Sequence, residues 1–323
     1  MSTVVSEPRL IEQIGLAMGS EVKLTAWTAD ASAAAAAFDE VFREFERFDT
    51  LMSVWREGSD VQQLNATAGR KAVRVSAEVR EVLREAHRVS EWTEGKFDVT
   101  FGALSGLWKF DHDQDDRIPD AGEVQRRLPL VDFRAVEVDE HAGAAFLKGA
   151  GMRVHLGGIG KGYAIDRAVA LLIRRGIRSF IVQSGGDLYA AGRRGNRPWR
   201  VGIRDPRGPA GRTFAALDVT DATFSTSGDY ERFFIRNGRR YHHILDPDRG
   251  EPARGCRSVT IVTDRAVIAD GLSTGVFVLG PAAGMALIER LPGVEGVIVT
   301  DRNEVLVSSG LRDRLILMAK PTQ

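Results

Sequence analysis

The sequence has one cysteine, Cys256, among 323 residues. A single thiol forms no disulfide within the chain and cannot supply a multi-cysteine zinc or iron–sulfur site. An excess of either charge is also missing: 44 Lys+Arg stand against 44 Asp+Glu, a formal charge of zero. That excludes a broad nucleic-acid or acidic-membrane surface, though a local patch is compatible with it. No apolar run approaches the ~18 residues that span a bilayer. The opening MSTVVSEPRLIEQIGLAMGSEVKL has no basic segment followed by an apolar core, and no cysteine follows one. The expectation is a cytoplasmic protein without membrane insertion, and without a nucleic-acid partner. Tandem repeats and long low-complexity linkers are absent as well.

Hydrophobic residues make up 43% and charged residues 27%, the balance of a chain that folds on its own core. A chain of this length buries about three quarters of its unfolded surface, enough for one large domain or two smaller ones. Val22–Trp27 alternates as a strand. Asp30 can cap a helix in which Phe38, Val41, Phe42, Phe45 and Phe48 recur at helical spacing. A second helix opens at Ser76, with Val79, Val82, Leu83, Ala86 and Val89 as its stripe and Gly95 past its end. The acidic run from Lys109 to Asp116 lacks the glycine and closing glutamate of a calcium loop and is expected to be solvated. Gly157-Gly158-Ile159-Gly160-Lys161-Gly162 turns into a helix through Arg175, and a strand over 179–183 follows. Glu231–Arg236, Asn237-Gly238 and Arg239–Leu245 form a hairpin with a type I′ turn. Ala266–Leu279 is a largely buried helix, and Val297–Thr300 with Glu304–Ser308 a closing strand pair. Strands and helices mix without strict alternation, so the class is α+β, with mixed, largely antiparallel sheets and packed helices.

Four groups could carry chemistry. The glycine turn lets main chain approach a ligand at a helix N-terminus, where anions are favoured, and Lys161 adds charge there. A tight turn with a surface lysine fits the same residues. Asp270 and Thr274 stand four apart on one helical face, in apolar surroundings. A buried carboxylate needs a partner: a hydrogen-bonded core fits this pair of hard oxygens, and so does Mg²⁺. His242 and His243 point to opposite faces of a strand, so one of them at most serves a given site as a base. Met18 and Trp55 can pack on a planar heterocycle or into the core, and Cys256 has no histidine near it in sequence.

Taken in order, these segments resemble the ApbE family, the FAD:protein FMN transferases. The similarity rests on AMGS (17–20), LMSVW with a later QLN (51–65), GKFDVTFGALSGLW (95–108) and HLGGIGKGYAIDRA (155–168). It continues in SGGDLYAAG (184–192), TSGDYERFF (226–234), YHHILDPDRGEP (241–252) and SVTIV with ADGLSTGVFVLG (258–280). It spans about residues 15–310 and implies a T-fold-like architecture: a single domain over 15–318, with room for two subdomains, behind an extension of residues 1–14. It also implies Mg²⁺-dependent transfer of the FMN moiety of FAD to a Thr or Ser hydroxyl of an acceptor flavoprotein, with release of AMP. A pyrophosphatase giving FMN and AMP, or a non-catalytic flavin binder, are the alternatives within the same resemblance. By match to the family, Gly158 (through its carbonyl), Asp270 and Thr274 would hold the metal. Met18, Trp55, Lys96, Phe97, Asp98, His155 and Lys161 would contact FAD, and His243 would be the general base. Two departures stand out: the family commonly has Tyr where this chain has Trp55, and Asp where it has His155.

Overall fold

The computed structural model describes residues 7–110 and 113–323. Asp111 and His112, in the middle of the acidic run, lie outside the described residues, as do the first six. The helices are α1 (Ala31–Met52), α2 (Asp60–Ala66), α3 (Ala77–Trp92), α4 (Ala121–Arg127), α5 (Gly160–Arg174), α6 (Ala266–Leu279) and α7 (Pro281–Arg290). The expected caps are in place: Asp30 accepts from Ala33 N at the start of α1, and Ser76 accepts from Val79 N at the start of α3. Helix α1 buries Phe38, Val41, Phe45 and Phe48, while Phe42 stays half-buried at the edge.

The main sheet has eight strands, in the spatial order Arg9–Ala17, Ser20–Thr28, Phe180–Ser184, Asp187–Ala191, Ala222–Gly228, Cys256–Thr263, Glu295–Thr300 and Val305–Val307. Every pairing in it is antiparallel. Alternation along each strand divides its side chains between two cores. Phe180, Val182, Val259, Ile261 and Ile298 face the larger core, with Phe38, Phe45 and Phe48 of α1 and Ala269, Leu272 and Phe277 of α6. Phe224, Val262, Val297 and Val299 face a second core with Trp199, Val201, Phe214 and Leu217 from a three-stranded sheet. Because both faces are covered, Cys256–Thr263 is buried almost throughout.

Two boundaries differ from the sequence expectation. The segment set apart as an extension over 1–14 enters the sheet: Arg9–Ala17 pairs along its whole length with Ser20–Thr28. The two are joined at Met18-Gly19, where φ values of 50° and 70° make the left-handed pair that a two-residue hairpin needs. The return strand of the Asn237-Gly238 hairpin ends at His242, not Leu245. The hairpin pairs Phe233–Arg236 with Arg239–His242, and Asn237 and Gly238 both have positive φ, as a type I′ turn requires. It is a separate two-stranded ribbon. A ring of four stacked aromatics ties it to the body: Trp108 to Tyr241 at 5.9 Å, Tyr241 to Phe234 at 5.2 Å, Phe234 to Phe110 at 5.6 Å, and Phe110 to Trp108 at 5.9 Å. Among the described residues no helix is long and apolar enough to cross a membrane.

Candidate functional site

Helices α5 and α6 meet at closer range than side chains allow. A Cβ on Gly162 would stand 2.2 Å from the Ala266 oxygen and 2.8 Å from Asp270 Cβ, so only glycine fits. Two carboxylates exploit that contact. Asp166 of α5 accepts from Ala266 N at 2.7 Å and Val267 N at 3.1 Å, capping α6. In return Asp270 of α6 accepts from Gly162 N at 2.9 Å, satisfying an orphan donor in the first turn of α5. The reciprocal caps set the register of the two helices and hold Asp270 at the positive end of α5.

Around Asp270 lies a buried charge cluster. Lys161 Nζ is 3.0 Å from Asp187 Oδ2 and 3.5 Å from Asp270 Oδ1, and it donates to the Gly157 carbonyl at 3.4 Å. Burial disfavours the ammonium, but Asp187 and Asp270 together outweigh it, so the Lys161 pKa lies above that of an ordinary lysine. Burial also pushes the Asp270 carboxyl up; Lys161 opposes that and Asp187 adds to it. With both carboxyls ionised, two carboxylates and one ammonium leave one excess negative charge.

From Asp187 a chain of hydroxyls runs to Thr274. Ser225 donates to Asp187, Ser225 and Ser273 oxygens are 3.2 Å apart, Ser273 and Ser227 2.8 Å, and Ser227 and Thr274 3.1 Å. Strand alternation puts Ser225 and Ser227 on this face, while Phe224 enters the second core and Thr226 meets Thr260 on the far side. Every residue of α6 from Ala266 to Val278 is buried except Thr274. The helix therefore opens to the surface at that hydroxyl.

Gly158 adjoins it: a Cβ built there would lie 3.6 Å from Thr274 Oγ1 and 3.4 Å from the Phe97 ring. Gly160 would meet Met18 Cε and Met52 Sδ, each at 3.6 Å. Thus Met18, Phe97, Gly158, Lys161, Asp270 and Thr274 come together. Trp55 stands near the end of α1, three residues beyond Met52, with 61% of its surface exposed, a flat apolar face at the margin. His155 accepts from Gly157 N at 3.1 Å through Nδ1, so its imidazole does what a carboxylate does in such a turn.

Two residues are engaged elsewhere. The Asp98 carboxylate, buried, takes Thr100 N at 2.7 Å, Thr100 Oγ1 at 2.6 Å and Phe133 N at 2.8 Å, which makes it an organiser of the 98–133 loops. Lys96 Nζ pairs with Asp246 at 3.0 Å and Asp248 at 2.7 Å, tying the Phe97 segment to the chain beyond the hairpin. His243 lies just past that hairpin. Its Nδ1 faces the Arg232 carbonyl at 3.3 Å, so Nδ1 carries the hydrogen and Nε2 the lone pair. Burial, with Arg232 and His242 beside it, lowers its pKa to about 3. His242 turns the other way into the core, Nε2 to the Ala253 oxygen at 3.1 Å and ring edge to Phe277. Asp187, Ser225, Ser227 and Ser273 had no assigned part in the sequence analysis. The signal available was an acid directly after Gly185-Gly186 and alternate serines in one strand.

The chain matches the ApbE family over residues 18–298. It is 35% identical to an FAD:protein FMN transferase of Treponema pallidum (strain Nichols) over 87% of this chain and 81% of the relative. With one of Klebsiella pneumoniae (strain 342) the identity is 30%, over 96% and 95%. The ApbE protein of Thermotoga maritima superposes with a TM-score of 0.87 at 29% identity, covering 98% of this chain and 100% of the other. The flavinyl transferase ApbE of Pseudomonas stutzeri, in its apo form, gives 0.85 at 29%, covering 97% and 98%.

Proposed function

The chain belongs to the ApbE family, and from that membership we propose that it is an FAD:protein FMN transferase acting on a Thr or Ser hydroxyl, with AMP as leaving group. The observation that carries this reading is the buried Asp187–Lys161–Asp270 cluster, one negative charge in excess, beside the single open hydroxyl of α6. Hard oxygens with surplus negative charge fit Mg²⁺, and Asp270, Thr274 and the Gly158 carbonyl would hold it. When bound, Mg²⁺ neutralises pyrophosphate charge and polarises the phosphorus.

The chain's own residues supply the rest. Lys161 sets an ammonium beside the phosphates, fixed by two carboxylates so that little reorganisation accompanies reaction. Met18, Phe97 and the exposed face of Trp55 offer apolar contact to the flavin. Nε2 of His243 takes the acceptor hydroxyl proton as the new O–P bond forms and the P–O bond to AMP breaks. At a pKa of about 3 the ring is neutral at pH 7, and incoming phosphate charge makes it more basic when the proton must move.

The test mixes the chain with FAD, Mg²⁺ and a Thr-bearing acceptor. A fluorescent acceptor that survives denaturation, and disappears with chelator, is expected. An acceptor left dark while FAD is bound would overturn the reading; FMN released instead would leave a pyrophosphatase, and untouched FAD a flavin carrier.

A further inference from the structure

On the ribbon that leads to His243, Arg240 has no ion pair among the described residues. Asp229, two residues beyond Ser227, grips Arg207 with both oxygens, at 2.7 and 2.6 Å. Asp229 N donates to the Arg257 carbonyl at 3.0 Å. The Arg257 side chain is spent on neutral acceptors: Asn303 Oδ1 at 2.8 Å, and the carbonyls of Thr322 and Asp301, each at 3.0 Å. Arg240, from the return strand, lies over the Phe233 ring at 3.6 Å. Among the described residues its guanidinium makes one hydrogen bond, to the Asp229 carbonyl at 3.4 Å, and no ion pair. Asp301 and Asp205 also act on Arg257, whereas Arg240 has only Asp229, already gripped by Arg207, as a neighbouring counter-charge. Arg240 is the one with donors to spare, since a guanidinium offers five N–H groups in a fixed fork. Burial and the neighbouring Arg207 both lower its pKa, the mark of a cation short of counter-charge.

We propose that Arg240 is the receptor for a carboxylate of the incoming acceptor protein. The identity of the occupant rests on the transferase reading. His243 meets the acceptor hydroxyl, and Arg240 lies three residues earlier on the same ribbon. At ~3.3 Å per residue the two are about 10 Å apart along the chain but on opposite faces by alternation, so an extended acceptor with its acid two or three residues from the hydroxyl would meet both by crossing the ribbon's edge. The FAD phosphates, the other source of an anion, would already have Lys161 and the glycine turn. Planar, bidentate capture of a carboxylate is what a guanidinium stacked on an aromatic ring does best.

The probe is a fluorescein-labelled octapeptide of Gly, Ala and Ser around one Thr, with a single Asp three residues before it. The same peptide with Asn is its control. Titrated by anisotropy onto the full chain, the Asp peptide should bind about tenfold tighter than the Asn peptide. Arg240→Gln should erase that preference and Arg240→Lys keep part of it, with FAD affinity by flavin quenching unchanged. Wild-type protein that binds both peptides alike overturns the proposal without any variant, as does a preference that survives Arg240→Gln. A fall in FAD affinity in Arg240→Gln would assign the anion to FAD and overturn it too. Because no transfer is read, a chain that prefers the Asp peptide yet never labels an acceptor keeps Arg240 as the receptor and loses the transferase reading.

Discussion

Asp270 has two jobs that a single substitution separates. Asn keeps an oxygen for Gly162 N and so preserves the cap on α5, while removing the charge. Asp270→Asn should therefore fold with nearly unchanged Tm yet label acceptor on the order of 100-fold more slowly or worse, with weakened Mg²⁺ affinity. Because burial holds this carboxyl above the ordinary range, protons compete with the metal from near neutrality downward. Titrating labelling with Mg²⁺ at several pH values should show the half-saturating concentration rising as pH falls, and no such trend in the Asn variant. His243→Ala removes the proposed base and leaves the proposed flavin contacts, so transfer should slow by about 10²–10⁴-fold while FAD binding holds. If binding collapsed and bound FAD still turned over normally, His243 would have another role. At this scale the sequence was informative where chemistry demands an unusual residue: a carboxylate and a hydroxyl four apart in an apolar helix. Asp187 and the three serines escaped notice because a serine in a strand has no local signature; its role comes from a helix 48 residues away, as between Ser225 and Ser273. Asp98 misleads in the opposite way, since nothing near it in sequence announces that Phe133 N claims its carboxylate.

Elements show the same division. Helices α1 and α3 are legible because apolar spacing and caps agree; α5 and α6 have no side-chain cap of their own but are legible from composition and bounding glycines, and Ala266–Leu279 is found to the residue. The strand Arg9–Ala17 is not, because Ile14 and Leu16 point outward, 59% and 85% exposed, and blur the alternation an edge strand would show. Gly15 within it has its own reason: a Cβ there would press to 2.7 Å from the Phe42 ring. Contacts between elements also decide which glycines matter. Gly162→Ala forces α5 and α6 apart at their shared caps, and about 1–3 kcal/mol of stability should be lost, with metal response degraded alongside. Gly293 has φ of 72° but nothing within 4 Å, so Gly293→Ala costs only backbone strain, about 1 kcal/mol, with activity intact. Thermal melts of the two variants, paired with Mg²⁺ titrations, test the distinction; equal effects on both readouts would mean that the helix contact has slack the geometry does not show.

At the scale of the whole molecule, acid stability is set by groups buried in uncharged or charged form. His242 is 5% exposed, its Nε2–H bonded to Ala253 and its Nδ1 buried without a partner. Burial lowers its pKa from 6.5 to about 4. For a base depressed in this way the unfolded chain binds more protons than the native one between those values, so unfolding free energy falls as pH drops through that window. The 2.5-unit difference (6.5 − 4) corresponds to roughly 3 kcal/mol. Carboxyls pull the other way. Burial raises Asp166 from 3.8 to about 6 and also raises Asp98 and Asp270, so these take up protons in the native state and add stability on acidification. A single melting curve against pH for the wild type sums these opposed effects and isolates none of them. The difference between wild type and His242→Gln does isolate one, since Gln can still donate to the Ala253 carbonyl but binds no proton. The variant should lose less Tm than the wild type between pH 7.5 and pH 5, whatever its stability at neutral pH. Parallel curves would show that His242 takes up its proton in the native state as readily as in the unfolded chain.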